Sequence, residues 1–321
     1  MFSIGIPVVC TVLTLYVAWR ASSATFFGRR APARYLFGAA GLLWATCVAG
    51  RVFGHGATSR IAGALEQVGM CWLGSLILLS VCLLAVDLVT VFGLLLRRRV
   101  AALRGAALLA GLALAAVALV QGIRAPVVSR HEVRLPGLPE HLDGTVIVAV
   151  SDLHLDHLRG ASWLAARVDQ IRHEGPDLVA FVGDILERNH PSAGELRAAL
   201  ARLSPPLGYW AVSGNHEFRH GRSDRMRPLE QAGVRVLRDQ WAEARTGLVI
   251  AGVDDLTDRR RAGQLDGRVA QALARRPSGG AILLSHSPLD ARSAAAAGAG
   301  LMLSGHTHGG QLWPLGVLVR L

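Results

Sequence analysis

Four long apolar runs dominate the start of this chain of 321 residues: Phe2 to Trp19, Tyr35 to Gly50, Val68 to Leu96 and Gly105 to Ile123. A helix needs about 20 apolar residues to cross the hydrocarbon core of a bilayer, so the first, third and fourth runs are long enough and the second is short. Folded as the core of a soluble domain, these helices would present almost no polar face to water, which argues against that alternative. Residues 1–125 are therefore expected to form a transmembrane helical region of four spans.

The formal charge of +11 would suit a nucleic-acid binder. Its distribution does not. The first 125 residues hold 11 arginines and 2 acids, the remainder balances 23 arginines against 21 acids, and lysine is absent. The expected partner is the lipid bilayer, not nucleic acid. Arg20, Arg29, Arg30 and Arg34 follow the first run and Arg97, Arg98, Arg99 and Arg104 the third, against only Arg51 and Arg60 between the second and third. If arginine-rich loops face the cytoplasm, the part after residue 125 is extracytoplasmic, at the plasma membrane. The first run has no basic stretch ahead of it and is expected to be a retained helix. Cys10, Cys47, Cys71 and Cys82 all fall in apolar runs, so no disulfide framework is expected in the second half. Asp87, inside the third run, is either an intramembrane functional carboxylate or a group near a span end that reaches water or an arginine.

Residues 126–144, punctuated by proline and glycine, read as a linker and opening hairpin. From 145 to 321, short apolar runs alternate with amphipathic stretches such as 161–174 and 194–203, the pattern of an α/β domain with much parallel sheet. The runs are Thr145 to Val150, Asp177 to Val182, Gly208 to Val212, Gly247 to Val253, Ala281 to Leu284 and Gly300 to Leu303. Five of them lead into "SDLH", "GD", "SGNHE", "SHSP" and "SGHTH". Ligands collect at the carboxyl ends of strands, where loops converge on a crevice. Carboxylate, imidazole and amide oxygen suit Mn, Fe, Zn or Mg, and the lack of cysteine argues against a structural thiolate zinc site.

In order, the pieces are "DLH" at 152–154, "GD" at 183–184, "GNHE" at 214–217, "SH" at 285–286 and "GHTH" at 305–308. Together they resemble the calcineurin-like metallophosphoesterases. The longer ending "GHTHGGQ" is similar to a branch with membrane-attached or exported members. The N-terminal four-helix transmembrane region read from the apolar runs fits that branch, and the resemblance implies that the α/β domain following it, over 145–321, is a calcineurin-like α/β/β/α sandwich. That family commonly continues with further strands, so the domain is expected to be short or C-terminally truncated, with "LWPLGVLVRL" as an apolar edge.

The resemblance also implies two divalent metal ions. Asp152, His154 and His308 would hold the first, Asn215, His286 and His306 the second, and Asp184 would bridge both. A hydroxide between the ions would attack phosphorus in line, while His216 would stabilise the phosphoryl oxygens or protonate the leaving group. The implied activity is a membrane-anchored metal-dependent phosphoric ester hydrolase acting on phosphate esters or diphosphates. A lipid-linked phosphorylated substrate fits a tethered enzyme. The alternative is a non-catalytic membrane sensor or transporter with a phosphoesterase-like ligand-binding domain. A nuclease is disfavoured by the near-neutral second half. Asp254, Asp255, His157, His190, His220 and the arginine run at 258–263 fall on no metal motif and stay outside the expected site.

Overall fold

In a computed structural model, which describes residues 2–24, 33–54, 59–156, 159–218 and 224–310, the chain divides into two compact units, Met1–Val127 and Val128–Leu321. In the first, each apolar run lies in a helix: α1 (Phe2–Ser22), α2 (Ala33–Ala49), α3 (Arg60–Val89) and α4 (Val100–Ile123). All four are long and apolar enough to cross a membrane. The short second run gains length because the helix continues into a π-helical turn at Gly50–Gly54, giving a stretch of 21 residues, Arg34–Gly54. Leu15, Leu42, Leu84 and Leu109 remain exposed on these helices. In water such a surface is an aggregation liability; in lipid it is the favoured one.

Asp87 lies near the end of α3, fully buried and paired twice. Its Oδ2 is 2.6 Å from Arg20 Nε of α1 and its Oδ1 is 3.1 Å from Arg104 Nη2 of α4, while the Tyr16 hydroxyl donates to Oδ2 at 2.8 Å. One carboxylate thereby joins three helices at the arginine-rich end. Neither guanidinium could be buried there cheaply without it. Arg51 is likewise paired, with Glu66 at 3.2 Å.

The second unit contains two four-stranded sheets. In the first, β1 (Ile147–Val150), β2 (Leu178–Val182), β3 (Tyr209–Val212) and β4 (Arg235–Val236) run parallel in that order. The second has the order β5 (Gln240–Arg245), β6 (Leu248–Gly252), β7 (Gly280–Leu284) and β8 (Leu301–Leu303). There β5 is antiparallel to β6, and the other pairs are parallel.

Side-chain alternation builds the layers. In β2, Leu178, Ala180 and Val182 enter a core between the sheets, with Trp210, Ile250, Ile282 and Leu284. Val179 and Phe181 point the other way, against Leu164 of α5 (Ala161–Arg172), Leu196 of α6 (Ala193–Leu200) and Leu229 of α7 (Arg227–Gln231). Val249, Ala251, Ala281 and Leu283 do the same for the second sheet, beneath α8 (Leu256–Arg261), α9 (Arg268–Leu273) and α10 (Ala291–Ala296). The layers are α/β/β/α, as expected.

The six apolar runs all become strands. Two strands were not expected: β4 is only 2 residues long, and β5 reads QWAEAR, too polar to register as an apolar run. The opening hairpin expected within 126–144 does not form. That stretch holds one short 3-10 turn, Glu140–Leu142, and no strand. Pro126, Pro136 and Pro139 remove backbone donors that a ladder would use. Arg29, Arg30 and the stretch "LWPLGVLVRL" lie outside the described residues.

Candidate metal centre

Every expected ligand follows the carboxyl end of a parallel strand. Asp152 and His154 follow β1, Asp184 follows β2, Asn215 and His216 follow β3, His286 follows β7, and His306 and His308 follow β8. The first two turns are zipped together. The N–H groups of Asp152, His154 and Leu155 donate to the carbonyls of Gly183, Asp184 and Ile185 at 3.1, 3.0 and 2.8 Å.

Close approach dictates glycine at two points. A Cβ on Gly214 would stand 2.2 Å from Asp184 Oδ1, and one on Gly305 would stand 1.8 Å from Ser151 Oγ and 2.5 Å from Asp152 Oδ2. Only a residue without a side chain fits either place. Asp152, His154, Asp184, His306 and His308 themselves take left-handed backbone, with φ between 46° and 71°, a region costly for any residue with a Cβ.

Asp184 stands at the middle. Its Oδ2 is 3.3 Å from His286 Nε2 and 3.9 Å from Nε2 of both His154 and His216. To one side, Asp152, His154 and His308 bring donor atoms within 4.8 Å of one another, with Asp152 Oδ1 3.2 Å from His308 Nε2. To the other, His286 Nε2 meets His306 Nδ1 at 3.3 Å. Asp184 also groups with Asp152 and His286, and separately with His154 and His216.

Two oxygens test what belongs here. Asn215 Oδ1 is buried with no hydrogen-bond partner among the described residues, and Asp152 Oδ1, also buried, faces the His308 ring at 3.2 Å; a buried polar group left unsatisfied costs about 1–3 kcal/mol if nothing compensates it. Carboxylate oxygens, imidazole nitrogens and an amide oxygen converge without a thiolate. That donor set fits a hard or borderline divalent cation.

The family described as calcineurin-like phosphoesterase matches residues 145–310, just over half of the chain. The chain belongs to that family. Among its curated relatives, an uncharacterized metallophosphoesterase of Aquifex aeolicus is 34% identical over 197 residues, which cover 60% of this chain and 73% of the relative. A Danio rerio protein named transmembrane protein with metallophosphoesterase domain is 33% identical over 219 residues, covering 65% of this chain and 50% of the relative. Its Bos taurus namesake is 31% identical over 228 residues, with the same coverage. The match thus spans about half the length of the latter two.

In this member of the calcineurin-like phosphoesterase family, two acids outside the expected set shape the candidate centre. Glu187 Oε1 lies 2.7 Å from Nδ1 of His154 and 2.7 Å from Nδ1 of His216. Burial alone would raise its carboxyl, but the two imidazoles hold it well below the usual carboxylate range. Glu217, fully buried, accepts the N–H groups of Asp184, Ile185, Leu186 and Gly214 at 3.0, 2.6, 2.8 and 2.8 Å. Burial and the Asp184 charge raise its carboxyl against the pull of those bonds. Both acids sit beside ligand motifs, in "GDILE" and "GNHE". Their adjacency was the available signal.

His216 is pinned at three points. Its N–H donates to Asp184 Oδ1 at 2.9 Å, its carbonyl accepts from Arg225 Nη1 at 2.9 Å, and its ring faces Glu187. Burial works against charge on the other groups as well. Asp152 is nonetheless lowered by His308 and Ser151, and Asp184 by His286 and His216. Burial also opposes a charged His286, yet Asp184 and the Val182 carbonyl push it up to about 9. His306 is lowered by burial and by the His286 charge.

Of the residues left outside the expected site, His190 donates locally to the Pro191 carbonyl at 2.7 Å. His157 and His220 lie outside the described residues. In the run at 258–263, Arg260 and Arg261 are exposed, whereas Arg259 turns inward and pairs with Asp239 at 2.5 Å.

Proposed function

We propose that this chain is a membrane-anchored, metal-dependent phosphoesterase. Two donor groups share Asp184, and a third, of Asp152, His154 and His308, overlaps both; this convergence carries the reading. Asp152, His154 and His308 are assigned to one divalent ion and Asn215, His286 and His306 to a second, with Asp184 shared; Mn, Fe, Zn and Mg all suit the donors. Bound there, two such ions supply Lewis acidity and a nucleophilic oxygen at neutral pH.

The chain's own part follows from the geometry. His286 donates Nδ1–H to the Val182 carbonyl at 2.9 Å, which leaves Nε2 as its ligand atom. Glu187 holds the rings of His154 and His216 in the same sense. His216, pinned by backbone and ring, offers Nε2 to the phosphoryl oxygens or to the departing oxygen.

The membrane helices support substrates at a bilayer surface, including lipid-linked phosphates and diphosphates. The orientation is read from charge. Arg97, Arg98 and Arg99 are exposed beyond α3, whereas Arg51 on the other side is paired with Glu66. This supports a cytoplasmic arginine-rich face and an extracytoplasmic catalytic domain at the plasma membrane. A reporter active only outside the cytoplasm, fused after Ala125, is expected to give signal.

The sensor or transporter reading draws on the four-helix region and on Asp87; the pairing of that carboxylate with Arg20 and Arg104 supports a structural role for Asp87, leaving the four helices as the ground for that alternative. The deciding experiment uses the full chain in detergent with Mn and three substrate classes: an aryl monoester, an aryl diester and a lipid diphosphate. Hydrolysis of at least one, abolished by chelator and by Asp184→Ala, is expected. A Mn-loaded protein inert toward all three overturns the assignment.

A further inference from the structure

Strand β6 ends at Gly252, and two buried aspartates follow at 254 and 255. Neither belongs to a donor group that could hold an ion among the described residues. Each instead grips a different ligand-bearing turn. Asp254 Oδ1 accepts from Ser213 Oγ at 2.7 Å, two residues before Asn215. Asp255 Oδ1 accepts from Ser287 Oγ at 2.8 Å, the residue after His286.

The two grips are braced from opposite directions. Asp254 donates its N–H to Asp239 Oδ1 at 3.2 Å, and the Arg259 guanidinium stands between Asp239 and Asp254, 3.6 Å from the latter. That guanidinium also lies 5.3 Å from the Phe218 ring, at the end of the turn that carries Asn215 and His216. Asp255 Oδ2 caps α8 by accepting the Asp258 N–H at 2.8 Å. Its partner Ser287 is fixed in turn, with Thr257 Oγ1 at 2.5 Å and its carbonyl accepting from Ser285 Oγ at 2.8 Å.

The charge balance of the two differs. Asp254 has a guanidinium beside it, whereas the hydrogen bonds to Asp255 come from a hydroxyl and a backbone N–H. A buried carboxylate held by neutral donors favours a cation nearby. Asp255 lies within electrostatic reach of His306, on the side where His286 and His306 meet.

We infer that Asp254 and Asp255 are a positioning pair for one half of the centre: Asp254 sets the turn presenting Asn215, Asp255 sets the turn presenting His286, and the Asp255 charge strengthens cation binding in that half alone. This rests on the two-ion reading above. Supporting hydrogen bonds around metal ligands change affinity by about 10–100-fold, so the effect falls on the second ion and spares the first.

The test titrates the full chain, stripped with chelator in detergent, with Mn alone. Calorimetry counts the ions and their affinities, and the Mn electron paramagnetic resonance signal separates a lone ion from a coupled pair. The parent is expected to bind two ions and develop the coupled signal. Asp255→Asn is expected to weaken the second ion at least tenfold and leave the first unchanged. Ser287→Ala, which removes only the hydroxyl, is expected to act in the same direction by less, and Ser213→Ala does so through the other turn. Melting in chelator identifies any variant that fails to fold, and if Asp255→Asn does so the serine variants decide. Variants that titrate like the parent, or that weaken both ions equally, overturn the inference. A parent that takes up fewer than two ions overturns the two-ion reading and the inference with it.

Discussion

Glu187 Oε1 and His216 Nδ1 lie 2.7 Å apart. Because His154 Nδ1 stands at the same distance from that oxygen, one acceptor sets two rings, and each Nε2 faces Asp184. Glu187→Gln keeps the shape but weakens both contacts. It is expected to lower kcat about 10–100-fold, with Glu187→Asp intermediate. Steady-state kinetics with an aryl phosphate checks this, and a Gln variant at parental kcat rejects the orienting role.

Gly305→Ala forces a methyl into Ser151 Oγ and Asp152 Oδ2. A loss of about 1–3 kcal/mol of stability is expected from the overpacking, together with loss of the ion assigned to Asp152, His154 and His308. Combining it with Ser151→Gly should restore part of both. Thermal melts and Mn counting on the two variants test the paired outcome.

In chelator, stability depends on pH from two sides. His286 is pushed up to about 9 from 6.5, so its contribution is complete below 6.5 and is lost as pH rises through about 9. Asp152, Asp184 and Glu187 are lowered, so theirs is present above the usual carboxylate range of about 4 and is lost as pH falls through their folded values. His306 is lowered, so its contribution runs the other way, present above 6.5 and lost as pH falls below it; the stripped protein should melt highest at about pH 6.5 and lower at 9.5. A flat profile from 6 to 10 would contradict it. Mn uptake at neutral pH should also release the His286 proton, seen as a buffer-dependent calorimetric enthalpy.

Asp87→Asn leaves Arg20 and Arg104 buried without their shared counter-charge. A destabilisation of about 3–5 kcal/mol is expected, read as a lower melting temperature of the full chain in detergent. Melting unchanged from the parent would mean that the arginines find other partners.

Strands such as β2 and β7 were legible because parallel strands buried on both faces read as unbroken apolar runs, and the ligands were legible because they follow those runs directly. The edge strand β5 was not, since Glu243 and Arg245 face water and break the run. Glu187 is not legible in the sequence because its role depends on two rings, one of them 33 residues earlier, brought together only by the fold. Asp254 and Asp255 fall on no metal motif, and their partners at Ser213 and Ser287 meet them only in the fold.

The left-handed backbone at Asp152, His154, Asp184, His306 and His308 sets the supply of donor atoms against folding. That backbone costs up to about 1–2 kcal/mol for a residue with a Cβ, and less for aspartate and histidine, which adopt it more readily than most. Folding alone would prefer glycine at all five positions, and glycine has no side chain to offer an ion. His308→Gly is accordingly expected to melt at or above the parent in chelator while losing an ion. The stability given up at these five positions is of the kind that only a bound ion would return.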